Sequence, residues 1–300
     1  MTNSALPVLI NREGGAAAAA GFGLPQAVTT AFAKAGAQVD VQMLAASEMN
    51  EAIKRAAASH RRIVVAGGDG TIASAAQLLT NTKVELALLP LGTLNHFARD
   101  LQIPTILDAA AALAVNGMAS PVDVGEVNGR RFINNASVGL YPSMVKDRDR
   151  IRHEHHVPKW LASIPACWAA LARLPHYRMR IDTGHGEAPI VSPLLLVGNN
   201  RYSLQRGSMG SRDSLNAGLL SIYAVSRTTR LGLLWFGVRA ALGRVSQTQD
   251  FELVGDCEAM TVRLSHPKIE IALDGEVQRL SLPLKFCVRP GALKVVRPSF

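Results

Sequence analysis

Apolar positions along this chain follow two different rhythms. As far as about residue 123, short continuous apolar runs alternate with stretches whose apolar residues recur every three or four positions. Pro7 to Asn11, Gln38 to Met43 and Ile63 to Ala66 have the first character and predict strands; Leu24 to Ala35 and Met49 to Ser59 have the second and predict amphipathic helices. Strands and helices taken alternately build a parallel sheet covered on both faces, so residues 1–123 are expected to form a three-layer α/β lobe. From Val124 the rhythm changes to strand-like segments divided by glycine and proline. These are Gly125 to Asn134, Tyr177 to Asp182, Leu194 to Gly198, Leu219 to Val225, Glu252 to Gly255, Ala259 to Leu264, Lys268 to Leu273 and Val277 to Leu280. An antiparallel β-sandwich over residues 124–288 follows, interrupted by helical patches at His155 to Leu174 and Thr228 to Leu242. There is no internal repeat.

The first lobe carries the chemistry. Val64 to Thr71 reads V-V-A-G-G-D-G-T, an apolar strand entering a glycine turn that continues as a helix. Gly67, Gly68 and Gly70 allow positive φ and close backbone approach, and amides opening the next helix favour an anion such as a nucleotide phosphate. Asp69 is out of place in a plain anion cradle. A carboxylate repels phosphate unless a metal ion or a transferable proton lies between them. A second unit of the same form follows: Leu86 to Leu91, then Gly92-Thr93-Leu94-Asn95, then a helix from His96 to Leu101. Loops beyond the carboxyl ends of parallel strands share one sheet edge, where ligands bind. The bland alternative is two ordinary strand-to-helix turns. Downstream of Asn11 the run E-G-G-A-A-A-A-A-G-F-G reads by default as a flexible loop with an alanine-rich helix start.

The paired motifs G-G-D-G-T (67–71) and P-L-G-T-L-N-H-F-A-R (90–99) resemble the catalytic domain of the soluble diacylglycerol kinase and sphingosine kinase family, especially its bacterial lipid kinases. Supporting matches are Asp123-Val124-Gly125 with Phe132-Ile133-Asn134-Asn135, and Ile269 to Glu276, I-E-I-A-L-D-G-E. The resemblance implies a cleft between the two lobes and a last strand, within 289–300, that returns to the first. It implies ATP and Mg²⁺ as cofactors. Asn11, Gly67, Gly68, Gly70, Thr71, Gly92, Thr93 and Asn95 would bind nucleotide, while Asp69, joined by Asp123, would organise the metal. Several positions depart from the family pattern. Asn216-Ala217-Gly218 stands where many bacterial members have D-D-G and a second, structural Mg²⁺ site, which an amide and a methyl would weaken or abolish. Ser137 to Pro142 replaces G-x-G-F-D-A, Arg206-Gly207-Ser208 replaces a glycine triplet, and His96 stands where Asp is common.

Asp274 is the candidate general base. It ends a strand in which Ile269, Ile271 and Leu273 alternate inward, which puts it on the other face just before a glycine turn that also presents Glu276. Asp-Gly is also the commonest hairpin signal, and the residues alone favour that reading; the family resemblance raises the catalytic one, in which Asp274, Glu276 and Asp69 act together.

Composition narrows the class. A chain of 300 residues suits two domains with separate cores. Cys167, Cys257 and Cys287 are scattered and odd in number, which indicates neither a disulfide framework nor a zinc site and fits a reducing, cytoplasmic setting. The N-terminus lacks the pattern of a signal peptide, and no apolar stretch is long enough for a membrane span. Formal charge is +9, and Arg227, Arg230, Arg239 and Arg244 surround an apolar segment with Trp235 and Phe236. Such a segment suits an anionic membrane surface, against the alternative of a core helix with a solvated basic side. No nucleic-acid motif accompanies the charge, and with aromatics at only 5% nucleic acid is not the expected partner. Lys146 to Lys159 mixes signs and reads as an exposed loop, with His153, His155 and His156 a weak metal candidate. The sequence therefore predicts a peripheral, ATP- and Mg²⁺-dependent lipid kinase with diacylglycerol the leading substrate. An NAD kinase and a non-catalytic nucleotide- or lipid-binding regulator are the alternatives, and the oligomeric state, a homodimer included, stays open.

Overall fold

The computed structural model describes residues 5–15, 23–139, 177–184, 186–203, 211–212, 214–225 and 251–298. The helical patches expected at His155 to Leu174 and Thr228 to Leu242, the histidines near 155, the arginines and aromatics around Trp235, Cys167 and the segment Arg206 to Ser208 lie outside the described residues. The chain divides into two compact units, 1–124 with 290–300, and 125–289.

The first unit runs β1 (Leu6–Asn11), α1 (Leu24–Lys34), β2 (Val39–Leu44), α2 (Ala46–Ser59), β3 (Arg62–Gly67), α3 (Asp69–Leu79), β4 (Glu85–Pro90), α4 (His96–Asp100), α5 (Leu107–Asn116) and the start of β5 (Met118–Val127). The strand order β2-β1-β3-β4 is parallel throughout, as strands joined by helices require. Every residue of β4 is buried, which explains the apolar run from Leu86 onward, after Glu85 at its start. Val8, Ile10, Val64, Ala66, Ala87 and Leu89 pack on one face against Val28 and Phe32 of α1 and the alanines of α5. The helix α5 escapes the sequence pattern because its buried face is only Ala110, Ala111 and Ala114, too small for a strong apolar stripe.

The second unit continues through β6 (Arg130–Phe132), β7 (Asn135–Gly139), β8 (Tyr177–Asp182), β9 (Glu187–Ser192), β10 (Leu194–Asn199), β11 (Leu220–Val225), β12 (Phe251–Cys257), β13 (Ala259–Arg263), β14 (Lys268–Leu273), β15 (Glu276–Ser281) and β16 (Leu284–Arg297). One antiparallel sheet has the order β12-β11-β10-β7-β14-β15; the other carries β16-β13-β8-β9 with the β5-β6 hairpin. Val138, Leu195, Ile222 and Ile271 of the first sheet share a core with Met179, Ile181, Met260 and Val262 of the second, which makes the sandwich. β9 went unforeseen since Glu187 to Ile190 is largely exposed at a sheet edge. β16 belongs to both units. Ala259↔Cys287 and its neighbours pair it with β13, while Lys294 and Val295 run parallel to β4 and Val296 enters the first core.

At the base of the parallel sheet Glu85 accepts hydrogen bonds from the Nε of Arg61 and of Arg62 at 3.0 and 2.9 Å. Burial opposes its charge, but the two guanidinium groups together hold its carboxyl below the usual range. Arg62 also donates to the carbonyls of Ala114, Val115 and Gly117, so it satisfies the open C-terminal end of α5. Arg61 is far more exposed, at 86% against 21% for the Arg62 side chain. Arg62→Ala should therefore cost about 3 kcal/mol in chemical denaturation, because it removes the more buried partner of Glu85 and the donors to three carbonyls. Arg61→Ala should cost under about 1 kcal/mol; equal losses would contradict this division of work.

Candidate functional site

Three loops beyond the carboxyl ends of β1, β3 and β4 converge. Asn11 closes β1, and its Nδ2 donates to Thr71 Oγ1 at 2.8 Å, tying the first loop to the first turn of α3. The Asn11 Oδ1 accepts the Glu13 N–H, and Gly14 N–H bonds back to the Asn11 carbonyl, so the chain turns tightly here. A Cβ on Gly14 would lie within 4.0 Å of Gly67 and Gly68, and one on Gly15 would lie 3.8 Å from Thr93 Oγ1. The small-residue run after Asn11 is thus, over Gly14 and Gly15, part of the loop cluster; Ala16 to Phe22 lie outside the described residues.

Contrary to expectation, Gly67, Gly68 and Gly70 do not adopt positive φ, Gly68 lying at −88°; Gly67, Gly68 and Gly92 are instead sites of close approach. The Thr71 side chain folds back over Gly67, where an added Cβ would meet it at 2.7 Å. A Cβ on Gly92 would sit 2.6 Å from the Gly68 Cα, so the β3 and β4 loops touch backbone to backbone. Leu91 N–H bonds to Gly67 O at 3.0 Å and extends the β3–β4 ladder up to that contact. Asn95 adopts the left-handed conformation at φ 50° and is buried; its Oδ1 accepts Gly92 N–H at 2.9 Å and its Nδ2 donates to Gly92 O at 2.8 Å. The Asn95 amide therefore clamps Gly92 through both its N–H and its carbonyl and fixes the loop. Thr93 and Leu94 are left exposed at the tip.

The residue preceding α3 is Gly68, which offers no side-chain cap, and the first helical hydrogen bond is Ile72 N–H to Gly68 O. Asp69, Gly70 and Thr71 consequently have N–H groups with no partner inside the helix, and these face the end that attracts anions. Asp69 Oδ1 is buried with no hydrogen-bond partner among the described residues. A buried carboxylate oxygen left open beside an anion cradle suits a hard cation. No cluster of three or more His, Cys, Asp or Glu exists among the described residues, so a Mg²⁺ on Asp69 would draw most of its oxygen ligands from phosphate and water. Asp123, on β5, is buried and accepts Gly291 N–H at 2.8 Å, which fastens the return of β16 in the first unit.

A second cluster belongs to the other unit. Asp274 and Gly275 form the two-residue turn between β14 and β15, with φ of 48° and 88°, the geometry of an Asp-Gly hairpin. This turn is also more than a connection. The Asp274 carboxylate accepts three backbone N–H groups: Ile133 at 2.8 Å on Oδ2, and Asn134 and Asn135 at 2.7 and 3.1 Å on Oδ1. Burial pushes its carboxyl up to about 6, while those amides and the Arg212 charge pull in the other direction. Glu276 opens β15 and is exposed. Asn216 and Ala217 sit in a loop held by Ser214 Oγ and Asn200 Oδ1. Arg212, Asn199 and Tyr202, which surround the 133–135 segment, went unnoticed in the sequence because a lone arginine or asparagine in an irregular stretch carries no periodic signal.

Comparison with known proteins adds the following. A model of the diacylglycerol kinase catalytic domain matches residues 5–127. A "Diacylglycerol kinase" of Mycobacterium tuberculosis is 31% identical over 251 residues, covering 79% of this chain and 76% of that protein. A "Probable lipid kinase YegS-like" of Pseudomonas syringae pv. syringae is 40% identical over 289 residues, covering 89% and 86%. In fold, the chain resembles the crystal structure of a diacylglycerol kinase from Bacillus anthracis str. Sterne, with a TM-score of 0.67 at 19% identity over 99% of this chain and 98% of that one.

The Asp274 environment has a consequence for stability. Its carboxyl titrates near 6 when folded and near 3.8 otherwise, so the folded chain holds the proton more tightly. This contribution is fully present below about pH 4 and is lost as pH rises through 6, a fall of roughly 3 kcal/mol. Urea midpoints measured between pH 4 and 7 should show this decline in the native protein and a flatter profile in Asp274→Asn; identical profiles would mean that the carboxyl is not buried as described.

Proposed function

The chain belongs to the diacylglycerol kinase catalytic-domain family, and from that premise we propose that it is an ATP- and Mg²⁺-dependent lipid kinase acting on the free hydroxyl of diacylglycerol. The observation that carries the ATP and Mg²⁺ reading is the open, buried Asp69 Oδ1 at the end of α3, beside two glycine loops in backbone contact. Phosphoryl transfer asks little covalent chemistry of a protein; it asks for position and for charge neutralisation.

In this reading the N–H groups of Asp69, Gly70 and Thr71 donate to phosphate oxygens, and Asn11 and Asn95 hold the flanking loops in place. Gly67, Gly68 and Gly92 leave the main chain bare so that phosphate can approach it. Mg²⁺ bound through Asp69 supplies positive charge at the phosphate oxygens. Asp274 takes the proton of the lipid hydroxyl as that oxygen bonds to the γ-phosphorus and the bond from phosphorus to the bridging oxygen breaks. A carboxylate with an acidity near 6 is ionised at neutral pH yet more basic than an ordinary one, which suits a general base. Among the described residues its Oδ2 accepts only the Ile133 N–H, which leaves a lone pair for this proton.

Among the described residues no helix is long and apolar enough to cross a membrane. In this reading the kinase meets its bilayer-resident acceptor at the membrane surface. The formal charge of +9 favours anionic lipid headgroups, and cytoplasmic, peripheral association is part of the proposal.

The test is transfer of labelled γ-phosphate from ATP to diacylglycerol, sphingosine or phosphatidylglycerol in mixed micelles, with and without Mg²⁺ and with NAD as a soluble competitor. Diacylglycerol should be labelled only with Mg²⁺, and its rate should rise with pH up to about 6 and then level. Asp274→Asn should lower kcat by roughly 100-fold or more with ATP still bound, and Asp69→Asn should lower the apparent Mg²⁺ affinity. Label on NAD alone, or full rates in both variants, would overturn the assignment.

A further inference from the structure

We propose that Arg212 is a positioning residue for the transfer step: it grips the Ile133–Asn135 segment from the carbonyl side, so that the amide N–H groups of that segment converge on Asp274. The proposal rests on the reading of Asp274 as the base. Arg212 is a cation at 5% exposure whose fork meets three acceptors at once. Its Nη1 donates to Ile133 O at 2.6 Å and Asn199 O at 2.9 Å, and its Nη2 donates to Asn134 Oδ1 at 2.9 Å.

The peptide joining Ile133 to Asn134 is held at both ends. Its carbonyl accepts Arg212 Nη1 and, at 3.0 Å, Asn199 Nδ2; its N–H donates to Asp274 Oδ1 at 2.7 Å. A cation on the oxygen polarises the amide and strengthens the bond from its N–H to a carboxylate. The next peptide is held more weakly, with the neutral Asn199 N–H on the Asn134 carbonyl at 2.9 Å, and its N–H reaches Asp274 at the longer distance of 3.1 Å. The order of the two distances follows the order of the two donors.

Arg212 is itself fixed. Its guanidinium lies 5.6 Å from the centre of the Tyr202 ring, and the Tyr202 hydroxyl accepts Asn135 Nδ2 at 3.2 Å, while its backbone N–H donates to the Tyr223 hydroxyl. Lysine could not reproduce this grip, since an ammonium offers one point of charge where three acceptors are spread around a plane. Among the described residues, Arg212 is the charged group that acts on the Asp274 carboxyl.

The direct readout is the carboxyl carbon of Asp274, followed by NMR across pH and identified by its loss in Asp274→Asn. Arg212→Met should move its midpoint upward by about one unit, and Arg212→Lys should move it less. The pH–rate profile should move with it, lowering kcat at pH 6 about fivefold with the KM for ATP nearly unchanged. An unmoved Asp274 midpoint in folded Arg212→Met would overturn the proposal, since a merely structural arginine would alter melting and nothing else. Should that variant not fold, Asn134→Ala removes one acceptor of the grip and should shift the midpoint in the same direction by less; no shift there would equally overturn it. A midpoint that moves while the rate profile stays still would uphold the grip and overturn Asp274 as the base.

Discussion

Gly68 and Gly92 approach so closely that a methyl on Gly92 would overlap the Gly68 main chain, and the arrangement of the first unit serves that contact. It needs β3 and β4 adjacent and parallel, which their helical crossover provides. It needs Gly92 held through both its N–H and its carbonyl, which Asn95 does with a left-handed backbone that asparagine tolerates better than most residues. It also needs Thr71 drawn over Gly67 and secured by Asn11. What results is bare main chain beside a helix start, with one open carboxylate oxygen.

Asp69 and Asp274, two of the acidic residues singled out for chemistry, occupy opposite surroundings. Asp69 Oδ1 is buried with no hydrogen-bond partner among the described residues, whereas Asp274 is surrounded by donors. An unsatisfied buried oxygen is costly, and the cost falls when a cation takes the place. Asp274 meets the opposite demand. Burial disfavours its charge, and the amides together with Arg212 keep that penalty from neutralising it near pH 7.

Much of this was legible in the sequence, for physical reasons that differ by element. Continuous apolar runs gave β1, β3 and β4 because the middle of a strand buried on both faces must be apolar. The glycine loops stood out because only glycine fits them. Less visible were α5, whose buried face is alanine, and β9, which lies largely exposed at an edge. The Asp-Gly hairpin between β14 and β15 was read from a two-residue signal, and its catalytic use only from resemblance. The cup around Asp274 was hidden altogether. Amide donors leave no trace in residue identity, and Arg212 lies 62 positions from Asp274 along the chain.

The contact between Gly68 and Gly92 is the proposed floor of a nucleotide site. Calorimetric titration of ATP, with and without Mg²⁺, into the native protein and into Gly92→Ala, with folding checked by melting, measures it. Mg²⁺-dependent binding that weakens by about tenfold or more in a folded Gly92→Ala is the predicted result. Equal affinity in the two proteins would place the nucleotide elsewhere and contradict the site described.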